Sequence, residues 1–444
     1  MRQGDTSIAV KVSLVVYSAL FLNFFLVGTV DPLLPRLVEL HGLTSSQLSL
    51  ILSAKSFAHM SASPVLAVAA SKIESEILFC FGILAVGFAY VGMGVSGTFS
   101  GFVSARVAQG IGIASIMVAG MSILIKSIPR EQRGKYTSFS YSALGHSLLI
   151  APVVSGVMYN DLGQMWTFLI PGFATFACFA VSCVFFLRAQ RSTGFSRSAS
   201  FAATRLDPKN VGPALRGILS QPLAWLAFPG IFSGGLSMGS CEATLPQMLA
   251  DWEGGLDVVT ANLIWSVGAL TFTLVAPLVG FLVDKVGPSR VFVTGLGMSA
   301  VVYPLFHLFA QSLQGLGATV SVAFFVETLV EISIYPLVAV LIDAAKVPNA
   351  HPVGYSLTEV SIQAGFALGS IAGRALFDWE GLLAMGLFIG GWNGLVFIAA
   401  CAGLLFIARR LVPPGDESEQ STPFGPEQIE GCENESPPPP VTPP

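Results

Sequence analysis

The sequence predicts an all-α membrane protein of twelve transmembrane helices arranged as two six-helix halves, on three observations. Of 444 residues, 53% are hydrophobic and 11% charged, with a mean hydropathy of +0.72. A soluble domain carries about 25% charged residues, so a soluble chain is excluded. Twelve apolar runs of spanning length can be marked, and a polar stretch at 189–221, rich in Ser and Arg, divides them six and six.

In chain order the runs cover 12–34, 48–70, 77–95, 101–124, 138–158 and 165–187, then 223–249, 260–283, 291–310, 317–342, 354–377 and 383–407. The first follows MRQGDTSIAVKVSLVV, which has no small-residue cleavage site after a short apolar core, and is expected to remain as a span. Twelve spans return both ends to one side. Cytoplasmic loops are enriched in Lys and Arg. Placing both termini and alternate loops in the cytoplasm collects 18 of the 22 basic residues there, leaving Arg36 in an opposite loop and Lys55, Arg106 and Arg374 inside spans. The expected location is therefore a multi-pass position with cytoplasmic N and C termini, in an intracellular vesicle or the plasma membrane.

The expected organisation is an N-terminal half at 1–188, a cytoplasmic linker at 189–221, a C-terminal half at 222–410 and a disordered acidic, proline-rich tail at 411–444. The tail holds seven acids and no base, so the rest of the chain carries 22 bases against 19 acids. It reads as a solvated extension or a docking segment for cytoplasmic proteins. Asn434, the acceptor of the one N-x-S/T sequon, is expected to stay unmodified on that side. The halves also carry a repeat: PVLAVAASKIESEILFCFG at 64–82 aligns without gaps on PLVGFLVDKVGPSRVFVTG at 277–295, an offset of 213 residues. Two similar bundles about a central path fit a transporter of the alternating-access kind.

The tenth run contains VAFFVETLVEISIYPLVAVLID at 322–343, with Glu327 and Glu331 inside it. Four residues apart on a helix, they lie about 40° apart on one face and roughly one turn apart in height. Their mutual repulsion in low dielectric favours a shared proton, which makes the pair a candidate proton carrier. Glu327 either reaches water at its end of the run or joins Glu331, which has eleven further residues of the run on its cytoplasmic side. An ionisable residue at that depth is a functional candidate. Lys55 lies seven residues inside its span, with His59 one turn further on the same face; a buried ammonium needs a partner or must neutralise. His146 and His307 read as satisfied core histidines. The six cysteines show no CxxC and no His at ligand spacing, so neither disulfides, metal nor cofactor is expected. No catalytic triad or phosphate loop is visible, so an enzyme is not expected, and neither is a nucleic-acid partner.

Several of these segments resemble known sequences. GFLVDKVG at 280–287 resembles the cytoplasmic loop signature of the major facilitator superfamily, in which Asp284 can cap a neighbouring helix end or pair with Arg290. In the first copy Ser71 replaces the aspartate and Glu74 and Glu76 replace a glycine and a basic position. RVAQGIGIASIMVAGM at 106–121 resembles the superfamily's buried-arginine motif, where a guanidinium that keeps its charge biases a titrating site. The plainer reading is that Arg106, near its span's outer end, snorkels to the interface. GHSLLIAPVVSGVMY at 145–159 resembles the Gly-Pro motif of superfamily antiporters, with Ala151 and Ser155 at glycine positions.

CEATLP at 241–246, VEISIYP at 330–336, Asp343, SLTEVSI at 356–362 and AKSFAHMSASP at 54–64 together resemble one branch, the vesicular amine transporter family of proton-coupled antiporters. That resemblance implies that Glu242, Glu331 and Glu359 occupy acidic positions of the family, and Lys55 its second-span lysine. It also proposes Lys55 and Glu359 as a gating ion pair, although by depth Lys55 counts nearer the outer side and Glu359 nearer the cytoplasm. The family's first-span aspartate is represented by Asn23; Asp31 lies eight residues on, roughly 12 Å along the axis and about 80° around it.

The expected function is proton-coupled antiport of a small organic cation, an amine or polyamine. The expected substrate site is Asn23, Glu242, Glu327 and Glu331, with proton coupling at Glu331 and Glu359 and gating by Lys55, Glu359, Arg106, Asp284 and Arg290. Two alternatives remain: broad-specificity drug efflux, and a non-transporting membrane receptor or scaffold.

Overall fold

The computed structural model describes residues 3–70, 72–129, 132–192, 207–250 and 258–411. Ser71, most of the Ser/Arg-rich linker at 193–206 and the acidic tail from 412 with its sequon lie outside the described residues, as does the side chain of Asp31.

The described chain forms helices. The first half contains α1 (Gln3–Leu40), α2 (Ser45–Ala69), α3 (Ser75–Val95), α4 (Phe99–Ser115), α5 (Met121–Lys126), α6 (Arg133–Tyr141) and α7 (Ala143–Ser192). After α8 (Val211–Leu219) come α9 (Ala224–Ala250), α10 (Val258–Val286), α11 (Pro288–Phe309), α12 (Leu313–Ala345), α13 (His351–Leu368) and α14 (Arg374–Leu411). Hydropathy makes these helices, because a bilayer leaves the backbone no other way to satisfy its polar groups within one segment. Local chemistry sets their ends. Thr44 and Gln47 form a capping box at the start of α2, Thr98 caps α4 and Ser312 caps α12 through the Gly315 N–H.

Eight stretches among the described residues are long and apolar enough to cross a membrane. Two of them, 133–188 and 351–403, each contain two of the expected spans. Gly163 breaks α7 with φ 74°, and Gly381 breaks α14 with φ 68°, left-handed values that favour glycine. α2 and α9, which carry Lys55, His59 and Glu242, fall outside the eight. With those two helices and the two breaks, the helices follow the twelve apolar runs in order. The repeat extends to element starts as well: α3 begins at Ser75 and α11 at Pro288, again 213 residues apart.

Inside the first half, α4 packs against α2 and α3, and α7 against α1 and α3. Inside the second, α9 packs on α13, and α12 on α10 and α11. The α9–α13 seam is close because Gly235 and Gly239 face the backbone of Ile362 and Phe366, while Gly365 and Gly369 face that of Phe232 and Leu236. The halves meet where α2 packs on α13 and where α6 and α7 pack on α10. Large apolar side chains such as Leu278, Trp225 and Trp379 point outward, and Ser, Thr and Asn side chains are buried within. Two π-helical turns, Ile116–Gly120 and Gly369–Gly373, interrupt the fourth and eleventh spans. Such turns are frequent at functional sites.

The stretch expected to be a linker holds more order than its composition suggests. α7 runs into it as far as Ser192, and α8 lies in its second part with Ala214 and Ile218 buried. Gln221 Nε2 donates to the Leu341 carbonyl at 2.7 Å, tying the end of this stretch to α12.

Candidate functional site

α12 is buried along most of its length and brings the two acids of the tenth span into the second half. Glu327 is 5% exposed, so it does not reach water. Its Oε1 accepts a hydrogen bond from the Tyr303 hydroxyl of α11 at 2.8 Å, and its Oε2 has no hydrogen-bond partner. Glu331, one turn on, is half-buried, and its Oε2 is likewise without a hydrogen-bond partner. Electrostatically Glu331 feels Glu327, Glu242 of α9 and Glu359 of α13. Three helices of one half thus converge four carboxylates, an arrangement that attracts a cation and holds protons.

Glu359 is 1% exposed and has partners on both sides. Tyr335, one turn after Glu331 on α12, donates its hydroxyl to Oε1. From the other half, His59 Nε2 lies 2.9 Å from Oε2, close in distance but without the alignment of a hydrogen bond. Tyr335 also lies against Tyr141 of α6, ring centroids 5.8 Å apart and planes tilted by 47°, so an aromatic contact joins the halves next to Glu359.

The expected gating residues separate into different places. Lys55 sits with Nζ 5.6 Å from the centre of the Phe366 ring, a cation–π arrangement, two turns along α13 from Glu359. This agrees with the depth reckoning from the sequence, by which Lys55 counts nearer the outer side and Glu359 nearer the cytoplasm. Arg106 is 1% exposed and does not snorkel. Its Nε donates to the Ile51 carbonyl of α2 at 3.4 Å and its Nη1 to Gln109 Oε1 at 2.9 Å, so the guanidinium joins α4 to α2. His146 and His307 each have Nδ1 2.8 Å from a backbone carbonyl nearby in the chain, at Ser142 and Pro304.

Asp284, at the end of α10, takes the capping option. Its Oδ1 accepts from the Gly134 N–H at 2.6 Å and its Oδ2 from the Lys135 N–H at 2.8 Å, the first turn of α6 in the other half. Arg290 lies exposed at the start of α11. Beside the cap, Arg133 Nη1 reaches Asp343 Oδ2 at 2.8 Å. Two acids of the second half therefore grip one helix end of the first, and the bundle is latched at this end. Asn23 is buried within the first half at 1% exposure, with its Oδ1 unpartnered.

Tyr303, Tyr335 and Arg133 were not read as site residues from the sequence, and His59 only as a neighbour of Lys55. Spacing could have found two: His59 follows Lys55 by one turn, and Tyr335 follows Glu331 by one turn. Tyr303 lies on another helix, and no linear pattern links it to Glu327.

The profile of the Major Facilitator Superfamily matches residues 16–255 and 253–439. The chain is 23% identical over 386 residues to the synaptic vesicular amine transporter of Rattus norvegicus, covering 84% of this chain and 68% of that protein. It is 22% identical over 371 residues to the chromaffin granule amine transporter of the same animal, covering 81% and 66%. Quinolone resistance protein NorA of Staphylococcus aureus is 24% identical over 197 residues, 44% of this chain and 50% of that one. The chain spans about two thirds of the length of these amine transporters. Among solved structures, the crystal structure of the human organic anion transporter MFSD10 (TETRAN) matches with a TM-score of 0.72, covering 88% of this chain and 99% of that one at 14% identity. At that identity the likeness shows the fold.

Proposed function

We propose that this chain, which belongs to the major facilitator superfamily, exchanges protons for an organic cation, an amine or polyamine, by alternating access. The observation that carries the reading is the convergence of Glu242, Glu327, Glu331 and Glu359 from α9, α12 and α13, with unpartnered carboxylate oxygens on Glu327 and Glu331. An anionic cluster in low dielectric is relieved by one of two ligands, a cation or a proton. Each excludes the other, and that competition is the coupling.

In the cycle, ionised Glu331 and Glu327 accept the substrate ammonium, each charge-assisted hydrogen bond contributing about 1.5–3 kcal/mol. Tyr303 keeps one oxygen of Glu327 occupied and so turns the other to the ligand. Protons entering from the acidic side neutralise the acids and release the cation. Arg106 holds α2 against α4, and Lys55 and Glu359 belong to the α2–α13 contact that opens and closes. Asp284 and Asp343 fasten the opposite contact, at α6. In this reading both termini are cytoplasmic, and the membrane is that of a vesicle or the cell surface.

The similarity of 44% of the chain to NorA favours a second reading, broad efflux of drugs. Purified protein in vesicles with an acidic interior separates the readings. Amine antiport collapses the pH gradient, beyond protein-free vesicles, for a narrow set of amines with their accumulation inside. Drug efflux does so for structurally unrelated lipophilic cations. Collapse by no cation at all overturns both and leaves a receptor or scaffold.

A further inference from the structure

We infer that His59 is a proton-dependent clasp between the two halves, holding α2 to α13 through Glu359 when the pair shares one proton and releasing it when the pair carries two or none. The inference deepens the antiport reading and rests on it for its transport consequence alone. It starts from the 2.9 Å approach of His59 Nε2 to Glu359 Oε2, with side chains only 4% and 2% exposed. These are the two halves' own groups, and water has almost no access to them.

The proton count follows from the geometry. Oε1 of Glu359 already accepts the Tyr335 hydroxyl from its own half, so Oε2 is the oxygen left to face the other half. The imidazole contact is close but not aligned as a hydrogen bond, so its attraction comes from the imidazolium charge more than from a directed N–H. With one proton on the pair, imidazolium faces carboxylate and the halves are held. A second proton neutralises Glu359; loss of the proton neutralises His59. Either change removes the charge pair from a buried contact.

The backbone around His59 is fixed enough for that loss to be felt by the helices. Gly110 of α4 packs directly on the Lys55 carbonyl and the His59 N–H region, and Ser63 donates to the His59 carbonyl at 2.9 Å. The backbone that carries the ring is therefore held to α4, and separation of Glu359 beyond the reach of the His59 side chain parts α13 from α2. The other charged or titratable groups on the elements packed against α2 and α13 include Lys55 on α2, Arg106 on α4, Lys126 on α5, Cys241 and Glu242 on α9, Glu327, Glu331, Tyr335 and Asp343 on α12, and Tyr355 and a second histidine, His351, on α13 itself, at that helix's start two turns from Glu359. Lys55 is directed to Phe366, and Arg106 to Ile51 and Gln109. Imidazole is the side chain whose ordinary charge change falls between pH 5 and 8, and His59 is the histidine that touches Glu359.

The test needs no substrate. Spin labels are placed on α2 and α13 of the full chain, cleared of native cysteines, in vesicles, and their separation is followed from acid to alkaline pH. The expected native result is a short separation at intermediate pH and a longer one on both sides. His59→Gln and His59→Phe, neither of which can carry the charge, are both expected to give the long separation throughout. Glu359→Gln is expected to give the long separation throughout as well, an independent check should a His59 variant fail to assemble. An unaltered pH response in His59→Gln overturns the inference, as does loss of the response in Lys55→Gln with its retention in His59→Gln. Failure to find a transported amine would sink the antiport reading and leave this measurement standing. Transport with an unaltered response in His59→Gln would sink the clasp alone.

Discussion

Replacing Asp284 by alanine should release the end of α6 from α10. The carboxylate accepts two backbone N–H groups at 2.6 and 2.8 Å, a helix cap supplied from the opposite half. Each hydrogen bond to a charged acceptor contributes about 1.5–3 kcal/mol, so the two together stand at about 3 kcal/mol or more. Asp284 is half-buried, so water recovers part of the loss on opening. About 2 kcal/mol remains, which is roughly a 30-fold shift of the closed-to-open ratio. Asp284→Asn keeps an acceptor and gives up the charge, and should shift the ratio about fivefold or less. The readout is the modification rate of a single cysteine at Tyr141, buried beneath the latch, by a membrane-impermeant thiol reagent. When the open state is rare, that rate follows its population. Asp343→Ala should add to the effect non-additively, because Arg133 and the capped N–H groups belong to the same turn. Modification of the Asp284→Ala protein within about threefold of the parent, against the 30-fold expected, or equal rates in the Ala and Asn variants, would refute the reasoning.

Glu331→Gln preserves shape and removes the charge change, so pH-driven accumulation should vanish while the protein still reaches the membrane; full gradient-driven uptake by the variant would discount its coupling role. Arg106→Lys keeps the charge but cannot reproduce the Ile51 and Gln109 bonds together, and transport should fall about tenfold or more, with parental rates counting against the α2–α4 brace. Asn23→Asp places a carboxylate where a buried Oδ1 has no partner, and binding of simple aromatic monoamines should tighten about tenfold or more in competition assays. A native protein that already prefers monoamines to polyamines, with no gain in the variant, would remove the first span from substrate selection.

The helical spans and the positions of the acids within them were legible in the linear chain because each is a local quantity. Whether a segment of some twenty residues partitions into a bilayer depends on the sum of its own side chains, and the 213-residue offset repeats that apolar pattern even where its turn residues differ. Glu327 and Glu331 share a face by helix geometry alone. Asp284 could be recognised as a cap or an ion-pair partner from its place at a helix end, but which helix it caps depends on a neighbour 150 residues away in the chain.

Only the tertiary structure decided which buried groups touch. His59, and not Lys55, lies against Glu359 because the depth of α2 relative to α13 is set by side-chain packing between helices, including the approach of Gly110 to α2, and no residue on α2 alone encodes it. The same holds for Tyr303 on Glu327 and Arg133 on Asp343, pairs brought together by helix rotation and crossing. Burial of Ala214 and Ile218 on α8, within a stretch that reads as a polar linker, follows from the packing of α8 on α12 and α13. A one-turn slide of one helix past another leaves every span's hydropathy unchanged and exchanges every polar partner. The free energy of insertion therefore determines the spans from sequence, while the pairing of charges inside the bundle waits on packing.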